Sequence, residues 1–425
     1  MFFNKNNTIN YRNILIIAIL GFSSGLPLSL TGAALQGWLA EENIDIITIG
    51  MLGLVSQPYI FKFIWAPLLD RFALPILGYR TGWIFITQLG LVFAILGLSF
   101  SDPNQALFNL ALFALLISFL SATQDIAFDA YRTELLAEQE RGIGSVVYVY
   151  GYRIAMIVSS GGSFLLSYYI GWQSTFIIIA TLMALCSLVT LIAKEPIRVN
   201  VKPKSLYEVV IEPFYEFIAR PKAIYLLLLI ITYKLGEAFA MALTTPFLIQ
   251  TLHFTTQDVG LISKTMGVIA TLIGLSIGGV LINRLGLYYS LMWFGIFQAL
   301  TNILYYWLAI VGHNYFVMAF TILSDQFSGG LATAALMVLL MTICNQKYTA
   351  TQFALLSALS SLGRVYVVPI SGYIVDSYGW ENFFLFSVVM CLPGLICLRL
   401  LKNKTSWSMT YSHKTVGEQR VDVAG

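Results

Sequence analysis

The sequence predicts an all-α membrane protein, and three observations predict it. Of 425 residues, 58% are hydrophobic and only 11% are charged, against about 25% charged in ordinary soluble domains, and mean hydropathy is +0.79. Apolar stretches recur at the length a bilayer demands, since about 20 residues at 1.5 Å each cross the hydrocarbon. Lys and Arg collect at alternate ends of those stretches, as they do in chains that cross repeatedly.

Twelve segments meet the length requirement. They fall at 13–39, 46–69, 81–100, 106–130, 142–168 and 172–193, and then at 223–249, 257–282, 287–311, 314–342, 350–374 and 380–400. The first is too long and too glycine-marked for a signal-peptide core and reads as a membrane helix. An even number places both termini on one side. Lys5, Arg12, Arg71, Arg80, Arg132, Arg141, Arg284, Lys347 and Arg399 lie at one set of ends, with six basic residues in the central loop. The opposite connections hold Glu41, Glu42, Asp45, Asp102, Asp258, Asp376 and Glu381 and neither Lys nor Arg. The asymmetry makes the termini and the central loop cytoplasmic. Within 194–222, Leu206, Val210, Phe214, Phe217 and Ile218 keep helical spacing opposite Lys and Glu, which reads as a short helix lying on the membrane surface. Residues 402–425 form a polar tail.

Composition also excludes functions. A net charge of +3 with no long basic run offers nothing that tracks nucleic acid. Cys186, Cys344, Cys391 and Cys397 are widely spaced or sit in apolar runs, which suits neither a metal site nor a disulfide framework. His253, His313 and His413 are scattered, with no metalloprotease or Ser–His–Asp pattern, so an enzyme is not expected. No obligate protein partner is indicated.

The halves repeat. WAPLLDRF, ending near Asp70–Arg71, corresponds to GGVLINRLG, ending near Asn283–Arg284; Arg153 corresponds to Arg364, and Gly171–Trp172 to Gly379–Trp380. Six helices per unit give the repeats one orientation, and parallel repeats place a path between two bundles. The units are 1–193 and 223–401, joined by 194–222.

Ser118–Gly144 is the stretch around which this organisation turns. Ser118, Ala122, Asp125 and Asp129 mark one polar helical face, and a charge cluster from Arg132 to Arg141 follows, so the helix leaves the membrane with its acids turned to protein or water. Other ionisable groups inside the segments are Lys62, Arg153, Lys234, Glu237, Lys264, Asp325 and Arg364. By helix rise Arg153, Lys234, Glu237 and Asp325 lie nearest mid-membrane, while Lys264 lies toward the other face.

Asp70, Arg71, Gly78 and Arg80 resemble a degenerate form of the cytoplasmic gating motif between helices two and three of major facilitator transporters. More specifically, LGFSSGLPLSLTGAALQGWLAEENIDIITIG, SQPYIFKFIWAPLLDR, SATQDIAFDAYRTELLAEQERGIG, YKLGEAFAMALTTPFLI and ATQFALLSALSSLGRVYVVPISG resemble the AmpG-type muropeptide permeases of that superfamily. The resemblance runs from about Leu20 to Leu400. It implies a major facilitator fold of twelve helices in two parallel six-helix bundles. It further implies proton-driven import, across the bacterial inner membrane, of N-acetylglucosaminyl-1,6-anhydro-N-acetylmuramic acid and its peptide-bearing forms. Such import recycles cell wall and in some bacteria feeds β-lactamase induction. The partners are then the anhydro-disaccharide, the anhydro-muropeptides, protons and lipid, with no cofactor beyond the proton gradient.

That cargo sets expectations for residues. Arg153, Arg364 and Lys234 suit its carboxylates; Gln57, Gln124, Asn302 and Gln326 suit hydroxyl and acetamido groups; Tyr59 and Tyr152 suit apolar sugar faces. Glu237, paired with Lys234 three residues away, is the first candidate for proton coupling, with Asp325 and Asp125 behind it. Asp70, Arg71, Arg80, Asp129, Arg132 and Arg141 form a cytoplasmic gate. A different amino sugar, an acyl-coenzyme A or another anionic metabolite is the alternative cargo.

Overall fold

A computed structural model describes residues 11–72, 77–136, 141–196, 212–219, 223–343 and 349–402. Every regular element among these residues is a helix, with no strand. Among the described residues, ten spans are long and apolar enough to cross a membrane: α1 Tyr11–Glu41, α2 Ile46–Ile64, α3 Thr81–Ser99, α4 Leu107–Leu135, α5 Val147–Leu191, α6 Ala223–Thr251, α7 Thr256–Leu285, α8 Leu287–Val311, α9 Tyr315–Ile343 and α10 Leu355–Leu401. Segments read as separate at 142–168 and 172–193 are joined in α5, which is 45 residues long, and the last two segments are joined in the 47-residue α10. The join is a hinge in each case. Gly171 has φ 78° and ψ 163°, and Gly379 has φ 77° and ψ 171°, a conformation open in practice only to glycine. The two hinges are the positions matched by the internal repeat.

Other differences have local causes. α4 runs on to Leu135, a turn beyond the expected end, because the charged residues after Asp129 leave the bilayer without ending the helix. α6 breaks at Tyr233–Lys234 and restarts at Leu235, where Glu237 in the new first turn faces the positive end of the helix dipole. Of the surface helix expected in the linker, Glu212–Ile218 is described and helical; the remainder lies outside the described residues.

The spans have a basic face, at the ends carrying Arg12, Arg80, Arg132 and Arg284, and an acidic face, at the ends carrying Glu41, Asp45, Asp102 and Asp258. The core is unequal between them. Near the basic face are two separate clusters. One, around Ile17, Leu69, Phe128 and Tyr131, draws only on the first half of the chain. The other, around Leu229, Leu291, Leu339 and Leu398, draws on the second and on Phe217 of the linker. Toward the acidic face a single cluster joins Trp38, Phe164 and Phe176 of the first half to Phe239, Phe247 and Phe254 of the second. The halves are therefore fused at one end and apart at the other.

Two backbone seams make the fusion. In one, α5 meets α7: a Cβ on Gly260 would lie 2.7 Å from Phe164 Cβ and 3.2 Å from the Gly161 carbonyl. In the other, α2 meets α10: a Cβ on Gly50 would lie 3.0 Å from the Val368 carbonyl, and one on Gly372 3.0 Å from the Ile46 carbonyl. Glycine permits this approach by having no side chain. Two cross-half hydrogen bonds lie at the same end, Gln36 Nε2 donating to the Ala242 carbonyl at 3.1 Å and Gln250 Nε2 to that of Ile44 at 2.9 Å.

Candidate functional site: a cationic chamber between the halves

Below the fused end lies a cavity of about 550 Å³, within the roughly 300–1,000 Å³ of small-molecule sites. Both halves line it, and irregular helical turns meet it repeatedly. Thr31, Gly32 and Ala33 come from a π-helical turn at Leu30–Ala34, Ser160 from one at Val158–Gly162, and Ser263 and Lys264 from one at Val259–Met266. Such turns free backbone groups and re-aim side chains, and they are frequent at functional sites.

The lining is strongly asymmetric in charge. Arg153, Lys234, Lys264 and Arg364 face it with a single carboxylate, Glu237. Lys234 Nζ is 2.8 Å from Glu237 Oε1, and the two side chains are 13% and 14% exposed. The same ammonium donates to Thr333 Oγ1 at 2.7 Å, while Glu237 Oε2 is buried without a hydrogen-bond partner. Gly329 makes room for the carboxylate, since a Cβ there would lie 3.3 Å from Oε1. Arg153 donates to Met156 Sδ at 3.8 Å, a weak contact that leaves most of the guanidinium available. The repeat-matched Arg153 and Arg364 share this one chamber, which can neutralise an anion larger than a single carboxylate.

The remaining expected residues divide. Gln326 lines the chamber and accepts from Thr271 Oγ1 at 3.0 Å. Gln57, Tyr59, Gln124, Tyr152 and Asn302 are not among the lining residues. Gln124 is buried within the first half, where its Nε2 and that of Gln88 donate to Ser23 Oγ at 2.9 and 2.8 Å. Asn302 is buried in the second half and donates to the Gly236 carbonyl at 3.1 Å. Both amides hold helices together. Asp325 is 1% exposed and lies behind the chamber wall, accepting from Gln298 Nε2 at 2.7 Å and the Tyr305 hydroxyl at 3.2 Å. Asp125 accepts from Ser24 Oγ and sits 3.9 Å from Lys62 Nζ. It too is off the chamber lining.

At the basic face the described gate residues pair within the first half. Arg80 forks onto Glu134, with Nη2 2.6 Å from Oε1, and Arg132 Nη2 is 3.0 Å from Asp129 on its own helix. Glu195 caps the start of α3 by accepting from the Arg80 and Thr81 backbone N–H groups at 2.8 and 3.0 Å. The side chains of Asp70, Arg71 and Arg141 lie outside the described residues.

Lys264, Gln36, Thr245 and Thr333 are among the lining residues that sequence reasoning missed. Lys264 was legible as an intramembrane charge, but its height placed it away from the middle. Gln36, Thr245 and Thr333 are neutral polar residues in apolar helices, a pattern shared with ordinary helix contacts. Among the described residues no group of three or more His, Cys, Asp or Glu is placed to hold a metal.

The model of the Major Facilitator Superfamily matches residues 17–367. The chain is 45% identical over 394 residues to the anhydromuropeptide permease of Escherichia coli (strain K12), covering 92% of this chain and 80% of that protein. It is 35% identical over 400 residues to a putative transporter AmpG 4 of Rickettsia felis, covering 92% and 96%. Among solved structures, a bacterial homologue of the human lysosomal transporter Spinster, inward-facing and occupied, matches with TM-score 0.74 at 13% identity, over 94% of this chain and 98% of that one. A D-xylose–proton symporter matches with TM-score 0.65 at 13% identity, over 93% and 98%.

Proposed function

The chain belongs to the major facilitator superfamily and, within it, to the AmpG-type permeases, and on that premise we propose that it is a secondary active transporter of anhydro-muropeptides. It imports N-acetylglucosaminyl-1,6-anhydro-N-acetylmuramic acid and its peptide-bearing forms across the bacterial inner membrane, together with protons, for cell-wall recycling. The observation that carries this reading is the chamber, which sets four cations against one carboxylate between the two halves. An anionic, hydroxyl-rich cargo suits that lining.

The two hinged spans count as two crossings each, which makes twelve helices in two six-helix bundles, 1–193 and 223–401, with 194–222 as the linker. The basic face is cytoplasmic, and both termini with it. The fused end is then periplasmic, and the chamber is in its inward-facing state. Alternating access consists of opening the glycine seams while the cytoplasmic ends close. Arg80, Asp129 and Arg132, with Asp70, Arg71 and Arg141, serve that closure by exchanging partners within one half for partners across the gap.

Proton coupling follows from the Lys234–Glu237 pair. While Glu237 is ionised, it and Thr333 occupy the Lys234 ammonium. A proton on Glu237 weakens the pair and frees the ammonium for a cargo carboxylate. Cargo carboxylate and Glu237 compete for one cation, so cargo binding favours a proton on Glu237 and a proton on Glu237 favours cargo binding. Asp325 and Asp125 are the reserve candidates, Asp325 already satisfied by neutral hydrogen-bond donors and Asp125 by Ser24 and the Lys62 ammonium. Arg153 and Arg364 supply bidentate contacts that do not depend on that proton.

Uptake by proteoliposomes tests the function. Labelled anhydro-disaccharide should accumulate when the proton gradient is directed inward, and unlabelled peptide-bearing forms should compete. Uptake no greater than that of an unrelated neutral disaccharide would remove the substrate assignment.

A further inference from the structure

Lys264 is the one chamber cation without a part in this scheme. Its Nζ donates to Thr245 Oγ1 at 2.8 Å and lies 5.7 Å from the centroid of the Phe164 ring. Among the described residues no carboxylate pairs with it. An ammonium carries three donors, and a charge at membrane depth is expensive unless paired. One neutral hydroxyl leaves this one incomplete.

We propose that Lys264 and Thr245 form a second carboxylate subsite, which receives the C-terminal carboxylate of the peptide in peptide-bearing cargo. The inference rests on the substrate reading above. Its basis is position. Eight residues of α5 separate Arg153 from Gly161, where α5 meets Thr265 next to Lys264, about 12 Å of helix at 1.5 Å per residue. Lys264 therefore sits some three to four extended peptide residues from the level of Arg153, at about 3.3–3.6 Å per residue. One turn beyond it, Gly260 meets Gly161 and the chamber ends. A blind end admits only the terminus of a ligand. In peptide-bearing cargo the lactyl carboxyl is consumed in an amide and branches from the sugar, so the terminus that carries negative charge is the end of the peptide. The disaccharide without peptide has its one carboxylate on the sugar, within reach of Arg153, Arg364 and Lys234, and leaves Lys264 unengaged.

Calorimetric binding to the purified full-length transporter separates the possibilities, using three ligands: the anhydro-disaccharide, its tetrapeptide-bearing form, and that form with a C-terminal carboxamide. Lys264→Gln should weaken the tetrapeptide form by about 10-fold or more and leave the other two unchanged, and those two also report that the variant is folded. Lys264→Arg should restore part of the loss. Equal weakening of all three ligands, or no weakening of the tetrapeptide form, overturns the subsite. Wild-type protein that binds none of the three overturns the substrate reading and the subsite with it, a result distinct from selective failure in the variant.

Discussion

Replacing Gly260 with alanine tests whether the seam between α5 and α7 is a gate. The added methyl would lie 2.7 Å from Phe164 Cβ, 3.2 Å from the Gly161 carbonyl and 3.3 Å from the Leu165 nitrogen. None of these is the loose end of a flexible side chain, so relief requires the helices to separate. Overpacking of this kind costs about 1–3 kcal/mol, which at 1.4 kcal/mol per decade shifts the equilibrium about 5- to 150-fold away from the fused state. Gly279→Ala on the same helix is the control, because nothing lies within 4 Å of its added Cβ. A reporter cysteine at Ser263, buried on the chamber wall, in a cysteine-free background gains access from the acidic face only when the seam opens. Gly260→Ala should speed its labelling from that side by a multiple within that range, and Gly279→Ala should not. Equal labelling in both backgrounds would refute the seam as a gate.

Three further predictions concern single residues. Glu237→Gln should abolish gradient-driven accumulation while sparing counterflow, because it holds Lys234 in the released state; accumulation at normal strength would move coupling to Asp325 or Asp125. Arg80→Ala removes a largely buried guanidinium, 8% exposed, from its fork onto Glu134. It should lower thermal stability by about 3 kcal/mol, read as a drop in Tm, with unchanged cargo affinity. Asp45 caps α2 by accepting from the Thr48 N–H at 2.8 Å. Burial pushes its carboxyl up, but hydrogen bonds from Thr48 and the neighbouring backbone outweigh burial and hold it below the ordinary 3.8. The cap is therefore present above pH 3.8 and lost as pH falls below it, so Asp45→Ala should cost about 1 kcal/mol at neutral pH and nothing in strong acid.

Much of this architecture was legible in the sequence, because a bilayer demands long apolar helices and punishes stray charge. The repeat was readable at Gly171 and Gly379, where a backbone conformation reserved for glycine recurs at matched positions. Arg153, Lys234, Glu237, Arg364 and Gln326 were legible as chamber residues for the same reason: a charge or amide in hydrocarbon needs somewhere to go. The residues that lie off the chamber have a physical pattern. Gln124 and Asn302 satisfy that need inside their own half, on Ser23 and the Gly236 carbonyl, and helical spacing does not distinguish an amide facing a cavity from one facing a neighbour. Lys264 was missed because the chamber reaches toward the acidic face, and its depth is set by where the glycine seams close. That is a property of two helices meeting across the halves, which no single segment encodes.

The central claim is that cargo and Glu237 compete for Lys234, and the protons taken up on cargo binding measure it directly. Titrating anhydro-disaccharide into the purified transporter in buffers of different ionisation enthalpy gives that number. The account predicts uptake of about one proton per cargo wherever Glu237 is ionised before binding, and none in Glu237→Gln. Binding without proton uptake in the wild type, or equal uptake in Glu237→Gln, would contradict it.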